Sequence, residues 1–546
     1  MYDFASVVAS ATESALVRPR PTIAAARRCG VAEVATVLVL LLGIGLRLWR
    51  PDLAQTNFDE SNVGSLVAAW KYQGWLPLTG TVSSYDFRAG EGWPWFAAIG
   101  LQLSDDPYAL IATGLLAGVA GLLACWWVAR RWVGVWGGVA AALFHGTMFW
   151  CVLLERGAWQ PVYLEAPMAL CLDALLRLGV QRRPWALAVA CGWLGLLVSV
   201  HYTALAFVLV VPLAIFYARD VLQVRHVVAA AIVGVLPLLP LLMFEVNPDV
   251  RFREILGLLS LSRGTSAFDL DTVTSTIQVS TTYGAAGLGG HAAAYIVDEL
   301  GRWTSLSALG PALAAAGLVV GVVVWPRGAT GWLIAAWTLA PIVAYLHHSA
   351  PVIFHYMFIE FTGMAMCVGV LGAWAAASGS RVWRLAVGAA IVASAAASAL
   401  SLLVVLHALD EFDLSAGYGV PVAYTREAGE AARAVLPPGG MVLIGDDPHA
   451  GEVLRFGVGY RIPSRSFEDC REVPYAANAV YLLASEQTPG AQALEAAGAP
   501  LLARIPRPGG DAYRVYGPPS APAALQSRPE PENPICQERA VWDSSA

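Results

Sequence analysis

Residues 27–51 read RRCGVAEVATVLVLLLGIGLRLWRP. Val31 to Leu48 forms an apolar run long enough for one membrane-spanning helix, which needs about 20 residues. Arg18, Arg20, Arg27 and Arg28 precede it. Excess arginine marks the cytoplasmic side of a span, so residues 1–30 are expected to be a cytoplasmic N-terminal segment. A secretory signal peptide opens in the same way. No small-residue cleavage site follows at Arg47-Leu-Trp-Arg-Pro51, and the run reads as an uncleaved first span.

The rest of the chain agrees. Of 546 residues, 57% are hydrophobic and 14% charged, and the mean hydropathy is +0.58. Soluble domains are about 25% charged, and a water-soluble enzyme must cover its surface with polar groups. This composition excludes a soluble globular protein, a disordered chain and a collagen-like fibre. The net charge of −6 provides no basic footprint for nucleic acid. Ten further apolar runs follow, at 107–129, 134–154, 162–178, 185–200, 202–218, 227–244, 306–325, 331–346, 351–375 and 384–408. Every turn that the alternation places inside carries arginine: Arg130/Arg131, Arg177/Arg182/Arg183, Arg219/Arg225, Arg327 and Arg381/Arg384. The expectation is a polytopic α-helical membrane protein of about 11 transmembrane helices. The two runs flanking His201 are short, and the alternative for them is one broken or re-entrant unit.

Three stretches then fall on the outer face: loops 52–106 and 245–305, and the C-terminal part from 409. The latter reads as a small α/β domain to residue 517. Thr425–Leu436 has helical spacing and stops at Pro437-Pro-Gly-Gly440. Met441–Ile444, Ala479–Leu483, Leu501–Ile505 and Tyr513–Tyr516 read as strands, and Ala491–Ala497 as a helix. Residues 518–546, rich in Pro, Ser and Ala, read as a disordered tail. Of eight cysteines, Cys125, Cys151, Cys171, Cys191 and Cys367 sit in apolar runs, where buried thiols are common. Cys470 and Cys536 fall in the outer part and are expected to pair in an oxidising compartment. No C-x-x-C or H-E-x-x-H motif occurs, so a structural zinc site is not expected.

The chemistry-bearing residues concentrate at the outer boundary. Asn57-Phe-Asp-Glu60 puts two adjacent carboxylates just past the first span, where a falling dielectric makes a carboxylate a better base. The pair is also able to hold a divalent cation. The same loop holds Asp86, Arg88 and Glu91 beside Trp93 and Trp95, which suit interfacial anchoring or stacking on a sugar ring. Arg156, Glu165, His201-Tyr202, His347-His348 and His355-Tyr356 lie in or beside spans, where ionisable groups are costly and by default functional. Arginine and histidine hold phosphate and a carboxylate activates an acceptor, so this set suits a lipid-linked anionic substrate drawn from the bilayer.

These residues resemble a known family. Arg47-Leu-Trp-Arg-Pro-Asp52, Phe58-Asp-Glu60, Ala68-Ala-Trp70 and Gly74 look like the start of the GT-C integral-membrane glycosyltransferases. The likeness is to the protein O-mannosyltransferase and aminoarabinose-transferase branch (dolichyl-phosphate-mannose-protein mannosyltransferase-like), over about residues 35–410. Trp93-Pro-Trp95, Arg130-Arg131, the Glu155-Arg156 element with Arg177, His201-Tyr202-Thr203 and His355-Tyr356 extend it. The resemblance implies a GT-C-like catalytic domain over 31–408. It implies inverting sugar transfer from a polyprenyl-phosphate donor to an acceptor hydroxyl of a glycan, lipid or protein, on the outer face of the plasma (inner) membrane. Asp59 would be the general base, Glu60 its support and Glu91 a further acid shaping the site. Arg156, His201 and Tyr356 would contact the donor phosphate or sugar, and Tyr202, His348 and His355 are further candidate substrate-binding residues. The family's Asp a few residues after the matching arginine is replaced by Gln160 and Pro161, with Glu165 as the nearest substitute. A multi-span transporter and a non-catalytic sugar- or lipid-binding membrane protein are the alternatives. The absence of an internal repeat argues against the transporter.

Overall fold

The computed structural model describes residues 23–82, 88, 90–248, 250, 252, 256, 270–285, 287–288, 293–324, 328–346, 354–412, 419–445, 448–467, 473–485, 488–508, 510–521 and 525, without the side chains of 23–29, 302, 354–355 and 448–452. Asp86, His347, His348, Cys470, Cys536 and the side chain of His355 lie outside the described residues.

Among the described residues, seven helices are long and apolar enough to cross a membrane: Gly30–Leu48, Tyr108–Val133, Val224–Glu245, Trp303–Val324, Gly328–Tyr345, Tyr356–Ala377 and Arg381–Glu411. The chain is an integral membrane protein. The other four apolar runs are also helical but short or interrupted. They are Val135–Thr147 continued by Phe149–Leu154, Glu165–Gly179, Trp185–Val200, and Tyr202–Val210 continued by Val211–Ala218. The break at His201 is real: its backbone is extended (φ −153°, ψ 128°), and a 3₁₀ stretch follows. Burial differs sharply along the bundle. Tyr356–Ala377 is 89% buried and forms the centre, whereas Val224–Glu245 is 17% buried and presents apolar side chains to lipid.

The elements that position the site are α1 (Ile23–Leu48), α2 (Phe58–Gln73), α3 (Gly92–Leu103), α4 (Tyr108–Val133), α5 (Val135–Thr147), α6 (Phe149–Leu154), α7 (Glu165–Gly179) and α8 (Trp185–Val200). Helices α1 and α5 approach backbone to backbone. A Cβ on Gly43 would stand 3.1 Å from the Gly146 Cα, the small-residue contact that membrane helices use for close packing. The expected loop 245–305 is not structureless: Asp271–Val279 and Ala293–Ser307 are helical. Both are short amphipathic segments whose polar faces interrupt the hydropathy signal.

The C-terminal part forms a five-stranded mixed sheet. Its strands are β3 (Met441–Gly445), β4 (Ser464–Phe467), β5 (Ala479–Leu483), β6 (Leu501–Pro506) and β7 (Ala512–Tyr516), in the order β4-β3-β5-β7-β6. The pairs β3/β4 and β3/β5 are parallel; β5/β7 and β6/β7 are antiparallel. Alternation along β3 sends Val442 and Ile444 against helices α9 (Val422–Ala434) and α10 (Pro448–Val458), and Leu443 against α11 (Pro489–Ala496). Strand β4 and helix α10 have no counterpart in the hydropathy reading; Ser464-Arg-Ser-Phe467 carries one apolar residue, Phe467.

This unit is tied to the start of the site. Strand β1 (Gln55–Thr56) pairs antiparallel with β2 (Val420–Pro421). The Val422 N–H donates to the Ala54 carbonyl (2.8 Å), and the Tyr460 hydroxyl to the Ser61 carbonyl (3.1 Å). Arg50 forms an ion pair with Asp410 at 2.8 Å, joining the end of α1 to the end of the last apolar helix.

Candidate active site

The site starts from the helix cap of α2. Asn57 is the N-cap, and its side chain accepts from the backbone N–H groups of Asp59 (2.9 Å) and Glu60 (3.4 Å). Glu60 reaches back and accepts from the Asn57 N–H at 3.1 Å. This reciprocal capping box ends the extended segment and starts the helix. The adjacent carboxylates thereby separate in role. Glu60 is 1% exposed and committed to the cap. Asp59 is half-buried, sits on the positive end of the helix dipole, and accepts from the Trp159 indole N–H at 3.2 Å. Burial, followed by the Asp59 charge, pushes the Glu60 carboxyl up to about 8. At neutral pH the proton therefore sits on Glu60.

That proton has a measurable consequence. A carboxyl whose folded pKa stands above its ordinary 4.5 resists ionisation in the folded state. Its stabilisation is complete below about 4.5 and is lost as pH rises toward about 8. Glutamine also completes a capping box, so Glu60→Gln should keep the helix start and flatten the decline in thermal stability over this range. The difference should reach a few kcal/mol at its alkaline end. Melting curves followed by tryptophan fluorescence compare the two proteins, and parallel profiles would exclude a proton on Glu60.

From Asp59 a chain of contacts runs round one end of the bundle. Trp159 meets Phe358 edge to face at 5.8 Å between centroids. Two residues before Phe358, the Tyr356 ring lies 6.2 Å from the His201 ring. His201 Nδ1 accepts from the Thr203 N–H (3.2 Å) and lies 2.7 Å from Thr203 Oγ1. Gln160 donates to the Val200 carbonyl (3.0 Å), and the Tyr202 hydroxyl to the Arg88 carbonyl (2.9 Å). Gly90 is needed there, because a Cβ would collide with the Ser199 backbone. Next to it, Glu91 is buried, and among the described residues neither carboxylate oxygen has a hydrogen-bond partner. Burial pushes it up to about 7. Asp59 is thus joined through Trp159 to Phe358, two residues from the Tyr356 that meets His201, and Tyr202 follows His201, with Glu91 beside the segment that carries Arg88. No motif pointed to Trp159 or Phe358.

Three expectations change. Trp93 is fully buried and donates its indole N–H to the Ala158 carbonyl (2.9 Å), so it neither anchors at an interface nor faces a sugar. Arg156 is fully buried. Its guanidinium donates to the carbonyls of Leu46 (3.0 Å), Arg47 (3.5 Å), Trp49 and Arg50, which end α1. In this structure it closes a helix terminus. Glu165 heads α7 inside the bundle, 3.2 Å from His145 Nε2, and accepts from the Thr362 hydroxyl at 2.8 Å. It belongs to a buried polar cluster with Arg47, His145, Cys151 and Glu155, in which Arg47 and Glu155 form an ion pair.

As for a divalent cation on the acid pair, Glu60 spends one oxygen on the cap and Asp59 one on Trp159. Among the described residues no third His, Cys, Asp or Glu joins them; the one such trio is His145, Cys151 and Glu155.

No protein-family model matches this sequence. No curated protein matches it either. Solved structures do. ArnT from Cupriavidus metallidurans bound to undecaprenyl phosphate superposes with a TM-score of 0.55 at 14% identity, over 90% of this chain and 98% of that one. Its apo state gives 0.53 at 12% identity over the same shares. The Archaeoglobus fulgidus oligosaccharyltransferase tethered to an acceptor peptide gives 0.44 at 11% identity, over 86% and 66%. This chain therefore has the fold of ArnT.

Proposed function

We propose that the protein transfers a sugar from a polyprenyl-phosphate carrier to an acceptor hydroxyl, with inversion at the anomeric carbon. The observation that carries this is Asp59. It is a half-buried carboxylate on a capped helix N-terminus, oriented by Trp159, at the aromatic end of a fold whose solved example holds undecaprenyl phosphate. Asp59 takes the acceptor hydroxyl proton and the freed oxygen attacks the anomeric carbon. The bond from that carbon to the phosphate oxygen breaks, and the polyprenyl phosphate leaves with the electron pair. A phosphate is a good leaving group, so positioning and one base supply most of the catalysis. His201, Tyr202 and Tyr356 contact the donor head group, with His348 and His355 on the adjoining segment. Glu91 shapes the acceptor side. Glu165 and Arg156 act from behind, through the bundle. The topology that goes with this has eleven crossings, a cytoplasmic N-terminus and an extracytoplasmic unit at 409–517.

The test uses purified protein in lipid nanodiscs with a panel of polyprenyl-phosphate-linked pentoses and hexoses, scoring release of polyprenyl phosphate and transfer to added acceptors. Undecaprenyl phosphate should raise the melting temperature, and at least one donor should be consumed. A protein that neither binds the carrier nor consumes any donor would overturn the reading.

A further inference from the structure

Helix α8 ends at His201 in the site and begins at Trp185, so its start marks the opposite end of the bundle. There the ends of α4 and α7 and the start of α8 gather arginine and tryptophan around one acid. Asp173, buried on α7, accepts from Arg177 Nε (2.6 Å) and from the Trp132 indole N–H (2.8 Å), and pairs with Arg131 Nε at 3.4 Å. One carboxylate thus holds two guanidinium groups by the same nitrogen. The terminal nitrogens of both have no hydrogen-bond partner among the described residues, and the side chains stay 33% (Arg131) and 20% (Arg177) exposed. Both guanidinium carbons lie over the Trp127 ring, 5.6 and 5.9 Å from its centroid, and Arg177 also faces Trp185 at 5.9 Å. The shared carboxylate and the ring between them hold the two forks in place.

We propose that Arg131 and Arg177 bind the phosphodiester head group of one anionic phospholipid at this end of the bundle. Charge sets the ligand. Neighbouring Arg130 and Arg182 are already paired, with Glu33 and Asp220. Two guanidinium groups against the single carboxylate of Asp173 leave one net positive charge, which one phosphodiester cancels. Guanidinium forks take phosphate oxygens in pairs, and basic pockets between membrane helices are where such head groups lodge. The fold also provides for the acyl chains. Helix α7 packs against both α4 and α8, which flank it. Four residues deeper than Trp127, Leu123 on α4 is exposed, and four residues deeper than Trp185, so is Val189 on α8. Each continues the face of its tryptophan into the hydrocarbon region, so a lipid held by its phosphate lays its chains there, whereas a free phosphate gains nothing from them. Arg183 selects against a zwitterionic head group. It is exposed, has no ion pair among the described residues, and its N–H bonds the Arg177 carbonyl (3.2 Å), so its charge stands where a choline ammonium would sit. The inference needs membrane insertion alone and does not rest on sugar transfer. The competing account is that these arginines are solvated loop charges, drawn equally to any anionic surface.

Full-length protein reconstituted with equimolar phosphatidylcholine and phosphatidylglycerol, then released and weighed by native mass spectrometry, separates the two. One phosphatidylglycerol should stay bound per chain, retained at least about tenfold over phosphatidylcholine. Arg131→Gln should lower that retention at least about tenfold. The variant is expected to fold, because Asp173 keeps Arg177 and the Trp132 indole, and an unchanged melting temperature verifies it. Arg384→Gln removes an exposed arginine outside the cluster and should leave retention unchanged. Inorganic phosphate in millimolar excess should not displace the lipid; displacement would assign the arginines to free phosphate and overturn the lipid site. Equal retention of the two lipids, or equal loss in Arg131→Gln and Arg384→Gln, would also overturn it and leave the arginines as solvated loop charges.

Discussion

Asp59→Asn should lower kcat for sugar transfer by about 10²–10⁴-fold, the usual share of a positioned general base. Donor KM should change little, because the carboxylate acts on the acceptor proton and not on the carrier. The substitution is nearly isosteric. The amide oxygen of the variant side chain still accepts from the Trp159 indole, and the Asn57–Glu60 cap does not involve the Asp59 side chain. Losing the negative charge at the helix N-terminus costs only about 0.3–1 kcal/mol. A variant that folds normally and transfers sugar at the parental rate would remove Asp59 from the mechanism. Single-turnover measurements on preloaded donor provide the cleanest comparison, since they isolate the chemical step.

Arg156→Met and Arg156→Lys are the second pair with a large effect, and they read stability. The guanidinium serves four carbonyls at the end of α1 from a position 110 residues later for Leu46 and 106 for Arg50. Hydrogen bonds to a charged group contribute about 1.5–3 kcal/mol each, and an ammonium cannot span the same fork. Both variants should be destabilised by about 3 kcal/mol or more, seen as a lower melting temperature and loss of monodispersity in detergent. The protein that does fold should bind undecaprenyl phosphate as the parent does. The opposite pattern, intact stability with carrier affinity weakened tenfold or more, would restore Arg156 as a phosphate contact.

The contrast between these two residues marks what was legible in the sequence. The position of Asp59 just past the first span was readable, because an adjacent acid pair directly after an apolar run lies near a membrane boundary; the helix cap that separates Asp59 from Glu60 was not read from the sequence. The break at His201 was readable for a similar reason, since two apolar runs too short to cross unaided meet there. The carbonyl partners of Arg156 were not legible, because hydropathy reports depth and not direction, and they are a hundred residues away. Trp159 and Phe358 were invisible on the same ground. In an apolar sequence one more aromatic carries no signal until the fold sets it against Asp59. The helices within 245–305 were missed because their polar faces lower the average hydropathy below that of a buried segment.

The β1–β2 pairing also sets an order of events during synthesis. Thr56 Oγ1 donates to the carbonyl of Val420, 364 residues further along the chain. Translation delivers the N-terminus first, so the helix bearing Asp59 leaves the ribosome long before the strand that clasps its base. Until residue 420 arrives, the acid exists without its clasp, and the bundle must insert around an unfinished end. Nascent chains halted before that point therefore carry every residue of the proposed chemistry yet lack the final fastening, which makes assembly of the site one of the last steps in making the protein.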